Sequence, residues 1–84
     1  MDALAAIRAM SEESGVGHVE ASERAGRSPF YVSSLLSRGS TPRADVLATL
    51  ASAYGYRLVL EPLGAGEPLP IDPVIRKPKS AGGE

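Results

Sequence analysis

The sequence predicts a small, mostly α-helical domain of four helices, followed by one β-strand and an extended tail. Apolar residues recur at helical spacing over residues 2–14 and 43–54. Between these stretches, two shorter helical segments at 17–24 and 28–38 are separated by a glycine-containing turn. Residues 62–84 hold five of the seven prolines and four of the nine glycines, a composition typical of an extended or disordered segment.

Length and composition exclude several classes of protein. A chain of 84 residues is expected to form one domain, and it has no cysteine and one histidine. Neither a disulfide framework, nor a metal site, nor a cofactor is therefore expected. No apolar run reaches the roughly 20 residues of a membrane span, and the N-terminus lacks the basic start of a signal peptide. With no glycine-rich phosphate loop either, we expect a cytoplasmic protein that is not an enzyme.

The net charge of −1 conceals an uneven distribution along the chain. Residues 1–23 carry one arginine against five acidic residues, for a net charge of −4. Residues 24–60 carry five arginines against one aspartate, for +4, and residues 61–84 carry −1. A basic zone on an otherwise acidic protein predicts one surface that faces a polyanion. The alternative is that the arginines are scattered over the solvated surface.

The first and last predicted helices have the clearest apolar stripes. In residues 2–14 the stripe is followed by Gly15, which suits a helix stop. In residues 43–54 the amphipathic pattern ends at Gly55. The stripe residues are Ala3, Leu4, Ile7 and Met10 in the first helix, and Val46, Leu47, Leu50, Ala51 and Tyr54 in the last.

The middle of the chain has the pattern of two short helices joined by a tight turn. Gly26 suits a turn that needs a positive φ, Ser28 suits an N-cap, and Pro29 suits the first helical position. The inward residues of the second helix, by spacing, are Val32, Leu35 and Leu36. Two helices joined in this way form a helix-turn-helix, whose second helix can lie in a DNA major groove.

The remaining residues of the second helix suggest a surface that contacts DNA. Its serines could bond base edges or phosphates, and Phe30 could contact thymine methyl groups. The alternative is that Phe30 and Tyr31 are further core residues. His18, near the start of the preceding helix, could contact a phosphate because helix N-termini favour anions. The alternative there is a half-exposed histidine without a role.

The segment after the second motif helix predicts a loop, a helix and a strand. Gly39 closes the helix, and Thr41 or a neighbour is expected to cap the next one. Residues 56–61 have a strand pattern with Tyr56, Leu58 and Leu60 on one face. Because no partner strand is evident, we expect the strand to pair with a second copy of the chain. The alternative is a local hairpin in which residues around Pro73, Val74 and Ile75 fold back.

These features resemble the Xre, or lambda-repressor-like, helix-turn-helix family over residues ~3–61. The resemblance is carried by Ala25-Gly26, Ser28, Val32, Leu35, Gly39, Thr41-Pro42, Leu47, Leu50-Ala51 and Tyr54-Gly55. It implies a compact DNA-binding domain, here residues 1–61, that acts as a dimer on palindromic double-stranded DNA. Pro29 and Phe30 stand where the family usually has polar base-reading residues, and Ala21 replaces a common leucine.

The pattern and the resemblance together define the candidate site residues. The base-reading set is Ser28, Pro29, Phe30, Ser33 and Ser34. The phosphate-contacting set is His18, Arg27, Tyr31, Arg38, Ser40, Thr41 and Arg43. The dimer-interface set is Tyr56, Leu58 and Leu60.

Three functions are compatible with the sequence. The first is a sequence-specific transcriptional repressor that binds DNA as a dimer. The second is an antitoxin that has the same DNA-binding domain and neutralises a toxin protein through residues 62–84. The third is a helix-turn-helix domain that has become a protein-interaction module, which the apolar Pro29-Phe30 pair and the overall acidity favour. Salt-dependent DNA binding would argue against the third.

Overall fold

The computed structural model describes residues 1–73 and has four helices followed by two short strands. The elements are α1 (Ala3–Ser14), α2 (His18–Arg24), α3 (Tyr31–Arg38), α4 (Ala44–Ala53), β1 (Leu58–Leu60) and β2 (Leu69–Ile71). The mostly helical architecture is confirmed. Val74 and Ile75, and the part of the predicted tail that follows them, lie outside the described residues.

Local capping explains where α1 begins and ends. The Asp2 Oδ1 atom accepts a hydrogen bond of 2.8 Å from the Ala5 N–H, which satisfies one of the free donors of the first turn. At the other end, Gly15 has a φ of +76° and donates its N–H to the Ser11 carbonyl. The predicted stop at Gly15 is therefore confirmed.

The core is formed by side chains from all four helices. α4 packs against α1, α2 and both strands, and α2 packs against α3. The buried cluster consists of Ile7, Ala21, Val32, Leu35, Leu50, Ala53 and Tyr54. Five further residues of the predicted apolar faces are partly buried against this cluster: Leu4, Met10, Leu36, Val46 and Leu47. The apolar faces predicted for α1, α3 and α4 are thus confirmed.

The predicted beginnings of α3 and α4 need correction. Residues 28–31 form a turn before α3, in which the Tyr31 N–H donates to the Ser28 carbonyl at 3.0 Å. Pro29 therefore occupies the second position of a β-turn, which its fixed φ favours, and Ser28 makes no side-chain cap. α4 is preceded by Arg43 rather than Thr41 as its N-cap residue, again without a side-chain cap.

The predicted single strand is wrong, because β1 pairs within its own chain. β1 and β2 form an antiparallel sheet in which Leu58 faces Ile71, Val59 faces Pro70 and Leu60 faces Leu69. A local hairpin is observed, as in the alternative, but its second strand is formed by residues 69–71, which precede the residues predicted for it. Pro70 has no N–H to donate, yet a sheet of two strands has only edges, where proline is tolerated.

The hairpin extends the regular structure of the chain to residue 71, beyond the predicted boundary at residue 61. β2 places residues 69–71 in the same body as the helices, since both strands contact α4.

Over residues 1–73, no helix is long and apolar enough to cross a bilayer.

Candidate nucleic-acid interface

The two helices of the central motif pack against each other through small residues. Ala21 of α2 is fully buried, and α2 ends at a turn in which Gly26 has a φ of +77°. The Arg27 N–H donates to the Ser22 carbonyl at 2.9 Å, which closes the turn. The small side chain of Ala21 lets α3 approach α2.

Ser22 is a structural residue that the sequence did not point to. Its side chain is completely buried between the two helices. The hydroxyl donates to the His18 carbonyl at 2.7 Å and accepts from the Val32 N–H at 3.1 Å. Ser22 thus satisfies a free donor in the first turn of α3 from another helix. The one available signal was a polar residue at an inward position between Ala21 and Ala25.

The candidate base-reading residues lie on the solvent-facing side of α3 and of the turn before it. Ser28, Ser33 and Ser34 are exposed, whereas Pro29 is half-buried. Phe30 is 70% exposed, so the alternative that it belongs to the core is wrong. Tyr31 is half-buried and packs against the core cluster, so that alternative holds for Tyr31.

Three exposed arginines flank this surface. Arg27 precedes α3, and its guanidinium lies 4.8 Å from the centre of the Tyr31 ring, a cation–π contact. Arg38 is exposed at the last position of α3. Arg43 precedes α4, and its ion pair with Asp45 at 3.3 Å is largely solvated. Such exposed pairs contribute little, so the Asp45 carboxylate does not hold Arg43 away from another anion.

Two of the remaining candidate phosphate contacts are hydroxyl groups. Ser40 and Thr41 are exposed in the connection between α3 and α4. Arg24, which belongs to the basic zone, is instead engaged within the fold. It donates to the Ala53 carbonyl at 3.1 Å and forms an ion pair with Glu20. Its charge therefore stabilises the C-terminal end of α4.

His18 is held by the core rather than presented freely to solvent. It is half-buried, and its Nδ1 atom lies 2.7 Å from the hydroxyl of Tyr54. Burial raises the pKa of Tyr54 above its ordinary value of 10.0, and a side-chain hydrogen bond with Ser11 partly opposes this. Tyr54 therefore keeps its proton at neutral pH and joins α4 to α2. A phosphate contact by His18 stays a prediction. It would have to use the Nε2 atom, because Nδ1 is bonded to Tyr54.

The groups that this surface exposes can donate and accept hydrogen bonds and carry positive charge. In the part of the chain that the structure describes, no group of three or more His, Cys, Asp or Glu side chains could hold a metal ion. The site consists of hydroxyls, one exposed aromatic ring and guanidinium groups. Compared with known protein families, curated proteins and solved structures, the chain matches none.

Proposed function

We propose that the protein is a cytoplasmic, sequence-specific DNA-binding repressor, in which α2 and α3 form a helix-turn-helix. One observation carries this proposal. α3 buries Val32 and Leu35 and leaves Ser33 and Ser34 exposed, beside a phenylalanine that is 70% exposed. The resemblance of residues ~3–61 to the lambda-repressor-like family supports the same function.

The composition of this surface suits a major groove. Serine side chains are short, so α3 could approach base edges closely, and hydroxyls can donate to or accept from any base pair. Phe30 would contact thymine methyl groups at the start of the helix. Arg27 and Arg38 stand at opposite ends of α3, where phosphates of the two strands would border the groove. Arg43 would add a contact from the start of α4.

The repressor would act as a dimer on palindromic DNA. The sequence assigned the interface to Tyr56, Leu58 and Leu60. Tyr56 is 42% exposed, Leu60 is 57% exposed and Leu58 is half-buried. Apolar side chains with this exposure remain available to a second copy, although β1 already has a partner in its own chain.

Binding to duplex DNA at several salt concentrations tests the proposal. Arg38→Ala and Arg43→Ala should each weaken binding to all sequences about equally and reduce the salt slope by about one unit. Arg8→Ala, which removes an exposed arginine from α1, is the matched control and should leave the slope unchanged. If all three variants keep the salt slope of the native chain, Arg38 and Arg43 do not contact phosphates.

Selection of preferred sequences from a random duplex pool tests the base-reading residues. Phe30→Ala and Ser34→Ala should alter the selected sequence more than the overall affinity, since each good groove contact contributes about 1–3 kcal/mol of discrimination. Both side chains are exposed, so the fold should persist. Absence of DNA binding by the native chain at low salt would refute the repressor and favour an interaction module. The antitoxin hypothesis stays a prediction.

A further inference from the structure

The pairing of Val59 with Pro70 determines which way the backbone of β1 faces. Residues opposite each other in an antiparallel pair alternate between hydrogen-bonded and non-hydrogen-bonded positions. Pro70 has no N–H, so Val59 and Pro70 must be a non-hydrogen-bonded pair. The ladder bonds then join Leu58 to Ile71 and Leu60 to Leu69. Consequently the N–H and C=O groups of Val59 point away from β2.

The two outer edges of the hairpin therefore differ. The outer edge of β2 has Pro70 at its centre and lacks a donor there, which blocks the addition of a strand. The outer edge of β1 has the N–H and the C=O of Val59 at its centre. Across residues 1–73, these two groups have no backbone partner outside the sheet. The open edge of the hairpin is thus the β1 edge.

We propose that two copies of the chain pair antiparallel along this edge, with the two-fold axis at Val59. The hairpins would join into one four-stranded sheet in the order β2–β1–β1–β2. Val59 of each copy would exchange two hydrogen bonds with Val59 of the other. The same register places Arg57 directly opposite Glu61 of the second copy, and Glu61 opposite its Arg57.

Charge complementarity supports this register. Arg57 and Glu61 are both exposed, and neither forms an ion pair within the part of the chain described. Opposite charges that face each other across two strands are stabilising, whereas like charges are destabilising. Moving the axis by one residue in either direction separates these charges. The register at Val59 also uses all three outward-facing positions, 57, 59 and 61.

The exposure of the leucines supports the same register. Leu58 and Ile71 face each other and are half-buried. Leu60 and Leu69, the next pair on that face, are 57% and 63% exposed. In the proposed sheet Val59 faces Val59 and the two strands run antiparallel. The residue that follows Val59 in one copy, Leu60, therefore lies opposite the residue that precedes it in the other, Leu58. The exposed pair Leu60–Leu69 of each copy would then lie beside the half-buried pair Leu58–Ile71 of the other copy, and the four side chains would form one apolar row across the sheet.

This inference deepens the dimer of the proposed function, and it is tested without DNA. The experiment measures association by sedimentation equilibrium of the full chain at tens of micromolar. Arg57→Glu places two like-charged pairs in the interface, and so does Glu61→Arg. Each change should raise the dimer Kd roughly tenfold. Mixing the two variants makes both pairs opposite in charge, so the mixture should form a heterodimer with nearly native affinity.

Two further measurements keep the result interpretable. Arg8→Glu makes the same charge change on α1 and should leave the dimer Kd unchanged, and circular dichroism should show that every variant is folded. Amide exchange at Val59 should be slow in the native dimer and fast in Arg57→Glu. A native chain that is monomeric would overturn the proposal. So would single variants that dimerise normally, or a mixture that fails to associate. These outcomes decide the dimer alone, whereas the change in salt slope for Arg38→Ala and Arg43→Ala decides whether this surface binds DNA.

Discussion

One buried hydroxyl connects the two helices of the candidate interface. Ser22 accepts from the Val32 N–H, which otherwise has no partner in the first turn of α3. Ser22→Ala should therefore leave a buried donor unsatisfied and cost about 1–2 kcal/mol of stability. In a domain of this size the melting temperature should fall by about 4–8 °C for each kcal/mol. Ser34→Ala, an exposed serine on α3, is the control and should melt like the native chain.

A second residue, Tyr54, makes stability depend on alkaline pH. Its pKa is raised by burial, so the folded state favours the neutral phenol. The resulting stabilisation is complete below the unfolded value of 10.0 and is lost as the pH rises through the higher folded pKa. Tyr54→Phe should be less stable at neutral pH, since it loses the bond to His18, but should lose less stability on going to alkaline pH.

Urea unfolding at neutral and alkaline pH measures this difference. The other groups that titrate at high pH are common to both proteins, so the comparison isolates Tyr54. Tyr56→Phe, which removes a hydroxyl from a ring that is 42% exposed, should behave as the native chain does. Parallel loss of stability in the native chain and Tyr54→Phe would contradict the prediction.

At the scale of an element, β2 is the partner that β1 needs. The register implies that the N–H groups of Leu58 and Leu60 donate to β2. A chain that ends after residue 65 should therefore exchange both amides quickly, whereas a chain that ends after residue 73 should protect them. Amide exchange followed by NMR compares the two. Protection that survives in the shorter chain would mean that β1 gains its hydrogen bonds from another partner.

At the scale of the whole molecule, a two-fold dimer predicts the symmetry of the DNA site. Two copies of α3 should occupy successive major grooves on one side of the duplex, about 34 Å apart, so protected bases should form two inverted half-sites. Chemical protection of guanine N7 atoms on a selected sequence measures this spacing. The Arg57→Glu variant, at a concentration where it is monomeric, should protect a single half-site. One continuous protected region in the native complex would contradict the prediction.

Local patterns determined much of this protein. The spacing of apolar residues predicted four helices and the buried positions Ile7, Val32, Leu35 and Leu50, because a helix places every third or fourth residue on one face. Gly15, Gly26, Gly39 and Gly55 all have positive φ values, and each ends or follows a helix as expected. The exposed side of α3 follows from the same spacing, so most of the candidate site could be predicted.

Other features were decided only when distant parts of the chain met. His18 contacts Tyr54 across 36 positions, and Ser22 caps α3 from α2, although neither pairing leaves a periodic signal. The three-residue β2 contains a proline and forms only because Leu58–Leu60 offers it an edge. Helix formation depends on neighbours within four residues, whereas capping between helices and strand pairing depend on which backbone groups the folded chain brings together.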